Sequence, residues 1–207
     1  MSDPYRFIAH VYDRALEPLT APLRELALRF IAPEPGSRVL DIGCGTGTMS
    51  VLFLDAGCEV VAVEPSPAMF SKARQKLYGR ARLHLGSAAT LPFASGSFDL
   101  AFLMLTLHEM REPMRLSVLQ EAARLVSGRG QVAVVDFNKG PLAAGKGWLY
   151  RGVQVAAEIS AGREHFRNYR DYMARGGLLP LLERAGLEPL RSKVVSGGNT
   201  ILALAKA

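Results

Sequence analysis

The stretch RVLDIGCGTGTMS, residues 38–50, holds the densest chemistry in the chain. A short apolar run carries Asp41 and is followed by Gly43, Gly45 and Gly47 at alternate positions. Glycine weakens the interior of a helix or strand by about 0.5–1 kcal/mol against alanine. Three together therefore mark a sharp turn that lets backbone approach a ligand. A helix starting after such a loop offers unpaired N–H groups and a positive partial charge, which suits a carboxylate or a phosphate. Glu64, closing the next apolar run, stands where a carboxylate can accept from ribose hydroxyls, each such bond contributing about 1.5–3 kcal/mol. Two histidines offer near-neutral proton acceptors: His108 in LTLHEM and His165 in EHFRNYRDY. A helix-capping role for His108 and a surface position for His165 fit the same letters. Arg163, Arg167, Arg170 and Arg175 alternate with Phe166, Tyr169 and Tyr172. Guanidinium groups suit an acidic or phosphorylated acceptor and the aromatics suit a ring or acyl chain, which makes Arg167, Tyr169 and Arg170 candidate substrate contacts. A solvated helix with a tyrosine stripe in the core is the equal alternative. Cys44 and Cys58 lack zinc-type spacing, and no metal site is expected.

The elements that must position these groups alternate. Residues 5–30 read as helix broken at Pro18 and Pro22. Strands are expected over 38–42, 59–63, 81–85, 98–105 and 131–137, with helices over 46–56, 66–78 and 111–126. Ser66 is placed to cap the second of these helices with Pro67 at its first position, and Ser127-Gly128 to close the third. Such alternation indicates βαβ units and a parallel sheet. Residues 187–195 and 200–205, joined by SGGN, can only form an antiparallel pair. An α/β fold with a mostly parallel sheet and a C-terminal antiparallel hairpin follows. Residues 139–175 interrupt the rhythm. There Trp148, Leu149, Val153, Ala156 and Ile159 suit one broad helix face, read as a lid over the sheet's edge.

The 207 residues suit one domain, and a 49% hydrophobic content excludes a disordered chain. No apolar run approaches the roughly 18 residues of a membrane span, and the N-terminus lacks a signal-peptide h-region. A reducing cytoplasm is the expected location. The net charge is +6, with seven Lys or Arg against three Asp or Glu between Lys139 and Arg175. A basic surface suits nucleic acid, anionic lipid or an acidic small molecule, or is merely solvated.

The ordered motifs VLDIGCGTG, VVAVEPSPAMF, LPFASGSFDLAFLMLTLHEM and LVSGRGQVAVVDF resemble those of the class I S-adenosylmethionine-dependent methyltransferases, nearest the small ubiquinone/menaquinone-methyltransferase-like group. The resemblance covers roughly residues 5–137. It implies a Rossmann-like three-layer sandwich with strand order 3-2-1-4-5-7-6. It divides the single domain into an N-terminal helical cap (1–30), a cofactor-binding core (31–137), an inserted lid (138–176) and a last helix with the hairpin (177–207). It implies S-adenosylmethionine as cofactor and an enzyme that transfers its methyl group to a small molecule. By the same resemblance Asp41, Gly43, Cys44, Gly45, Thr46 and Gly47 surround the methionine part, Glu64 and Pro65 meet the ribose, Met69 lies beside the adenine, Leu105 lines the pocket near the methyl, and Tyr12 folds over the site. Asp41 as a strand-end cap, and Met69 and Tyr12 as plain core, are the alternatives. Many relatives carry an acid after the glycine that follows strand three. Here Ser87 and Ala88 stand there, which implies a weaker adenine contact or one supplied by the backbone at Ala88 and Ala89.

A dinucleotide site is the competitor, but the glycine that should complete G-x-G-x-x-G comes one residue early, at Gly47 in place of Thr48. An RNA methyltransferase is suggested by the isoelectric point near 9.6, although no appended RNA-binding module is seen. A non-enzymatic cofactor-binding regulator is the third alternative. The expected partner is a small acceptor, with nucleic acid disfavoured and peripheral contact with a membrane surface allowed.

Overall fold

The computed structural model describes Tyr5 and residues 9–206, with the backbone alone for residues 9–19. Seven strands form one sheet: β1 (Arg38–Ile42), β2 (Glu59–Glu64), β3 (Arg82–Leu85), β4 (Phe98–Met104), β5 (Val126–Phe137), β6 (Glu188–Val195) and β7 (Thr200–Lys206). Their order is β3-β2-β1-β4-β5-β7-β6. The first five pair in parallel, with Leu40 opposite Val61 on one side and Ala101 on the other. β7 runs antiparallel to both β5 and β6. This is the architecture and the hairpin that the strand pattern and the resemblance imply.

Among the described residues seven α-helices accompany the strands: α1 (Ala9–Ile31), α2 (Thr48–Asp55), α3 (Pro67–Lys76), α4 (Glu112–Leu125), α5 (Lys146–Ser160), α6 (Arg163–Ala174) and α7 (Leu178–Arg184). One sheet face buries Val39, Val60 and Phe102 against Ala27 and Ile31 of α1, Phe53 of α2 and Ala73 of α3. The other buries Leu40, Ile42 and Leu103 against Leu119 and Ala122 of α4 and Leu181 and Leu182 of α7. Both faces are covered, which is why β1, β2 and β4 read as near-continuous apolar runs. Among the described residues no helix is long and apolar enough to cross a membrane.

Three elements depart from expectation. The helix α1 is not broken at Pro18 or Pro22. Pro22 lies on the exposed side, where water can serve a carbonyl that proline cannot, and burial of Ala27 and Ile31 holds the following turns. Ser127-Gly128 does not close α4. The helix ends at Leu125, buried Val126 pairs with Phe98, and the SGRG residues form a bulge inside β5 before Leu100 pairs with Gln131. The segment read as a lid forms two helices, α5 and α6, and α6 rests on the 3-10 turn Leu107–Glu109 after β4, well inside the sheet's edge.

Candidate active site

The glycine loop lies at the carboxyl end of β1, the end at which open α/β sheets bind ligands. A cavity of about 300 Å³ opens there, lined by Asp41, Gly43, Cys44, Gly45, Thr46, Glu64, Pro65, Met69 and Leu105 among others. Gly43, Gly45 and Gly47 all take positive φ, at 70°, 58° and 83°. A side chain on Gly43 would meet Thr106 Oγ1 at 2.7 Å, and one on Gly47 would meet Leu77 Cδ1 at 2.9 Å. Around a Cβ on Gly45 there is open space within 4 Å. Two of the glycines thus close the loop against its neighbours, while the middle one leaves room for a ligand. α2 starts later than expected, at Thr48, with Gly47 as its left-handed N-cap.

Two carboxylates shape this cavity. Glu64 accepts from the backbone N–H of Gly45 and of Ser66, both at 2.8 Å. It thereby ties the glycine loop to the start of α3, where Ser66 accepts from Met69 N as the expected cap. Asp41 accepts from Ser50 Oγ at 2.5 Å. Burial lifts both carboxyls: Asp41 to about 6, against the lowering influence of Ser50 and Arg24, and Glu64 to about 7, against its two backbone donors. Burial together with Asp41 and Glu64 holds the Cys44 thiol protonated, so it is no nucleophile. Lys76 donates to Thr46 Oγ1 and Thr48 Oγ1 and latches the loop from α3.

Leu105 follows β4 at φ 52°, a left-handed position that non-glycine residues rarely occupy. Its N–H donates to Val135 O at 2.8 Å, which fixes the turn, and its side chain joins the cavity wall. Thr106, Glu109 and Met110 continue that wall. Tyr5 also lines it and donates through its hydroxyl to Glu109 Oε2 at 2.5 Å. Burial is the main cause that raises the Glu109 carboxyl.

The two candidate bases lie behind Glu109. His108 is buried, and its Nδ1 meets Asp136 Oδ1 at 2.7 Å. Asp136 is fully buried and also accepts from the N–H of Leu107 and of Phe137. Burial lowers the His108 pKa, but Asp136, with Glu109 and Glu158 beyond it, outweighs that and raises it to about 9. His108 Nε2 faces Glu158 Oε1 at 3.6 Å, and His165 Nε2 stands 2.8 Å from Glu158 Oε2. The structure therefore unites His108 and His165 around Glu158, a residue of α5 that the sequence reading passed over. Among the described residues this trio is the one His/Cys/Asp/Glu group whose ligand atoms converge closely enough for a metal ion.

The other candidates fall elsewhere. Ser87 is exposed and accepts from Ala89 N, while Ala88 is part of the core; neither is among the cavity's lining residues. Tyr169 is buried and pairs with Gln154 Nε2. Arg167 and Arg170 are exposed, the first beside Glu164 and the second over the Phe166 ring. Helix α6 thus separates Tyr169 from the two arginines, and the three do not form one surface. The side chain of Tyr12 lies outside the described residues.

What holds the lid in place was also missed. Arg115 of α4 is fully buried and donates to Leu107 O, Asn168 O, Glu112 Oε2 and Asp171 Oδ2. Asn168 Nδ2 donates to Glu109 O. Helix α6 is thereby fastened to the turn that carries His108 and Glu109. A run such as EPMRLSVL shows an amphipathic helix but not that its arginine points inward.

Residues 39–130 match the family described as a methyltransferase domain. The demethylmenaquinone methyltransferase of Beutenbergia cavernae is 28% identical over 97% of this chain and 87% of its own length. That of Renibacterium salmoninarum is 35% identical over 56% of this chain and 47% of its own. A solved structure from Pyrococcus horikoshii OT3 superposes with a TM-score of 0.74 at 20% identity, covering 100% of this chain and 99% of the other. The chain spans about half the length of the curated relatives it matches first.

Proposed function

We propose that the chain is a class I S-adenosylmethionine-dependent methyltransferase, a reading supported by the matched methyltransferase domain and the demethylmenaquinone methyltransferase relatives, and that it methylates a small molecule of the quinol type or a similar ring-bearing acceptor. The carrying observation is the cavity at the end of β1, where a Cβ on Gly45 would meet open space and the buried carboxylates Asp41 and Glu64 are among the lining residues. That pair of acceptors fits S-adenosylmethionine. Asp41 suits its ammonium, and Glu64 keeps lone pairs for ribose hydroxyls beyond those given to Gly45 and Ser66. Glu64 would meet the ribose of either ligand, so Asp41 beside the glycine loop is the group that discriminates, attracting an ammonium and repelling a pyrophosphate.

When bound, S-adenosylmethionine supplies a methyl carbon activated by the sulfonium. The acceptor's nucleophilic atom forms a bond to that carbon as the carbon–sulfur bond breaks, with the electron pair staying on sulfur. The protein's part is alignment and exclusion of water. Leu105, Thr106 and Met110 line the cavity after β4, with Thr106 packed against Gly43 of the glycine loop. The fastened α6 roofs the turn beside them. A hydroxyl or acidic carbon acceptor must also lose a proton. Glu109, a carboxylate of the cavity wall, is the group in this chain suited to receive it, whereas His108 and His165 behind it are not among the lining residues.

The lid supports an acceptor with lipid character. Arg151, Gln154 and Glu158 of α5 face the protein, where Arg151 donates to Asn199 and to Asn138 O, Gln154 to Tyr169, and Glu158 lies between the histidines. Trp148, Leu149, Val153 and Ile159 point outward, each more than half exposed. An outward apolar helix face beside Lys139, Lys146 and Arg163 suits peripheral contact with an anionic membrane surface.

The test is release of S-adenosylhomocysteine when the purified protein is given S-adenosylmethionine with reduced naphthoquinols and benzoquinols, short-chain and polyprenylated. Turnover with at least one such ring supports the reading. Tight cofactor binding without turnover on any small-molecule or lipid fraction counts against it.

A further inference from the structure

We propose that His108, His165 and Glu158 form a binding site for one divalent transition-metal ion of the zinc class, with the two imidazole Nε2 atoms and the Glu158 carboxylate as ligands. The three residues come from three elements: the 3-10 turn after β4, α6 and α5. Their ligand atoms all lie within 4.8 Å of one another. Glu158 is 6% exposed. Its Oε2 is buried without a hydrogen-bond donor, although His165 Nε2 is only 2.8 Å away. The contact is close but lacks hydrogen-bond geometry. A buried carboxylate oxygen without a donor is unfavourable, and a cation between the three groups removes that deficit.

The surroundings of His108 point the same way. Asp136 accepts from its Nδ1 at 2.7 Å and is itself held by two backbone N–H groups. A carboxylate on one imidazole nitrogen fixes the ring and presents the other nitrogen, the arrangement that supports metal-bound histidines. The presented Nε2 faces Glu158 Oε1 at 3.6 Å, beyond hydrogen-bond reach. Two imidazoles and one carboxylate are a ligand set of open zinc sites and of the facial triad that holds iron. Mg²⁺, which takes oxygen ligands, does not suit it. An ion there would join both lid helices to the core, next to the cavity wall at Glu109. The proposal goes beyond methyl transfer and does not depend on it.

The test uses the full chain, stripped with a chelator and dialysed. It is titrated calorimetrically with Zn²⁺, Co²⁺ and Mg²⁺, and bound metal is then measured by elemental analysis. The expected result is one Zn²⁺ per chain and no Mg²⁺ uptake. Glu158→Gln and His165→Ala should each weaken Zn²⁺ binding by more than about 100-fold, beyond what loss of an orienting partner costs, with affinity for S-adenosylmethionine unchanged as the check on folding. The Co²⁺ form of the unaltered protein supplies a readout that needs no variant: a visible d–d spectrum of nitrogen and oxygen ligands without a thiolate charge-transfer band. Absence of stoichiometric Zn²⁺, binding untouched by both substitutions, or a thiolate band would overturn the proposal.

Discussion

Replacing Glu64 with Gln should both weaken the cofactor and change how the protein responds to pH. In the folded protein without cofactor the Glu64 carboxyl is lifted from 4.5 to about 7 by burial. Ribose hydroxyls donate to the ionised form, so affinity should rise from pH 5 to pH 8 with a midpoint near 7. Loss of the charge-assisted bonds in Glu64→Gln costs about 1.5–3 kcal/mol, an affinity lower by roughly tenfold to a hundredfold or slightly more at pH 8. The slope should shrink to a residue centred near 6, from Asp41. Stability without cofactor gives an independent readout. A carboxyl raised on folding takes up protons in the folded state. That contribution is complete below pH 4.5 and is lost as pH rises through 7. At about 1.4 kcal/mol per pH unit the window spans about 3 kcal/mol, an upper figure for one site. Isothermal titration across pH 5–8 and urea unfolding of both proteins measure the two effects. A flat affinity profile in the unaltered protein, or the same profile in both, would refute the assignment of Glu64 to the ribose and the claim that it is strained by burial.

Gly45→Val should abolish cofactor binding, because a branched side chain both strains the loop at a φ of 58° and enters the open space of the cavity; unchanged affinity with unchanged circular dichroism would sink the loop assignment. Arg115→Met should destabilise the chain by about 3 kcal/mol, the low end for a broken buried pair because Asp171 is partly hydrated, and a urea shift equivalent to less than about 1 kcal/mol would mean the lid is held by other contacts. Leu149→Glu with Val153→Glu should weaken sedimentation with vesicles containing anionic lipid while leaving cofactor affinity intact; equal sedimentation would place the membrane surface elsewhere or nowhere.

The sheet was legible because its causes are local. Apolar runs such as VLDI and VVAV end at glycines or at Pro65, and SGGN is too short for any but an antiparallel link. The glycine loop was legible because its three positive φ values demand the residue type. The lid was not. Trp148, Leu149, Val153 and Ile159 do share a helix face, but the face is turned outward because Arg151, Gln154 and Glu158 find their partners inside. Periodicity gives the face without its direction. The helix α1 kept going through two prolines because tertiary burial outweighs a local breaker. Asp136, Glu158 and Arg115 were invisible for another reason. Asp136 meets His108 across 28 residues, Glu158 meets the same histidine from a different element, and Arg115 meets Asp171 across 56 residues, so only the folded chain brings them together.

The central claim is that the glycine loop with Asp41 and Glu64 binds S-adenosylmethionine. It is tested most directly by calorimetric titration of the purified chain with S-adenosylmethionine, with NADH as the control. Saturable one-to-one binding of S-adenosylmethionine, lost in Gly45→Val, together with no heat from NADH, is the predicted result. Binding of NADH with none of S-adenosylmethionine would contradict it.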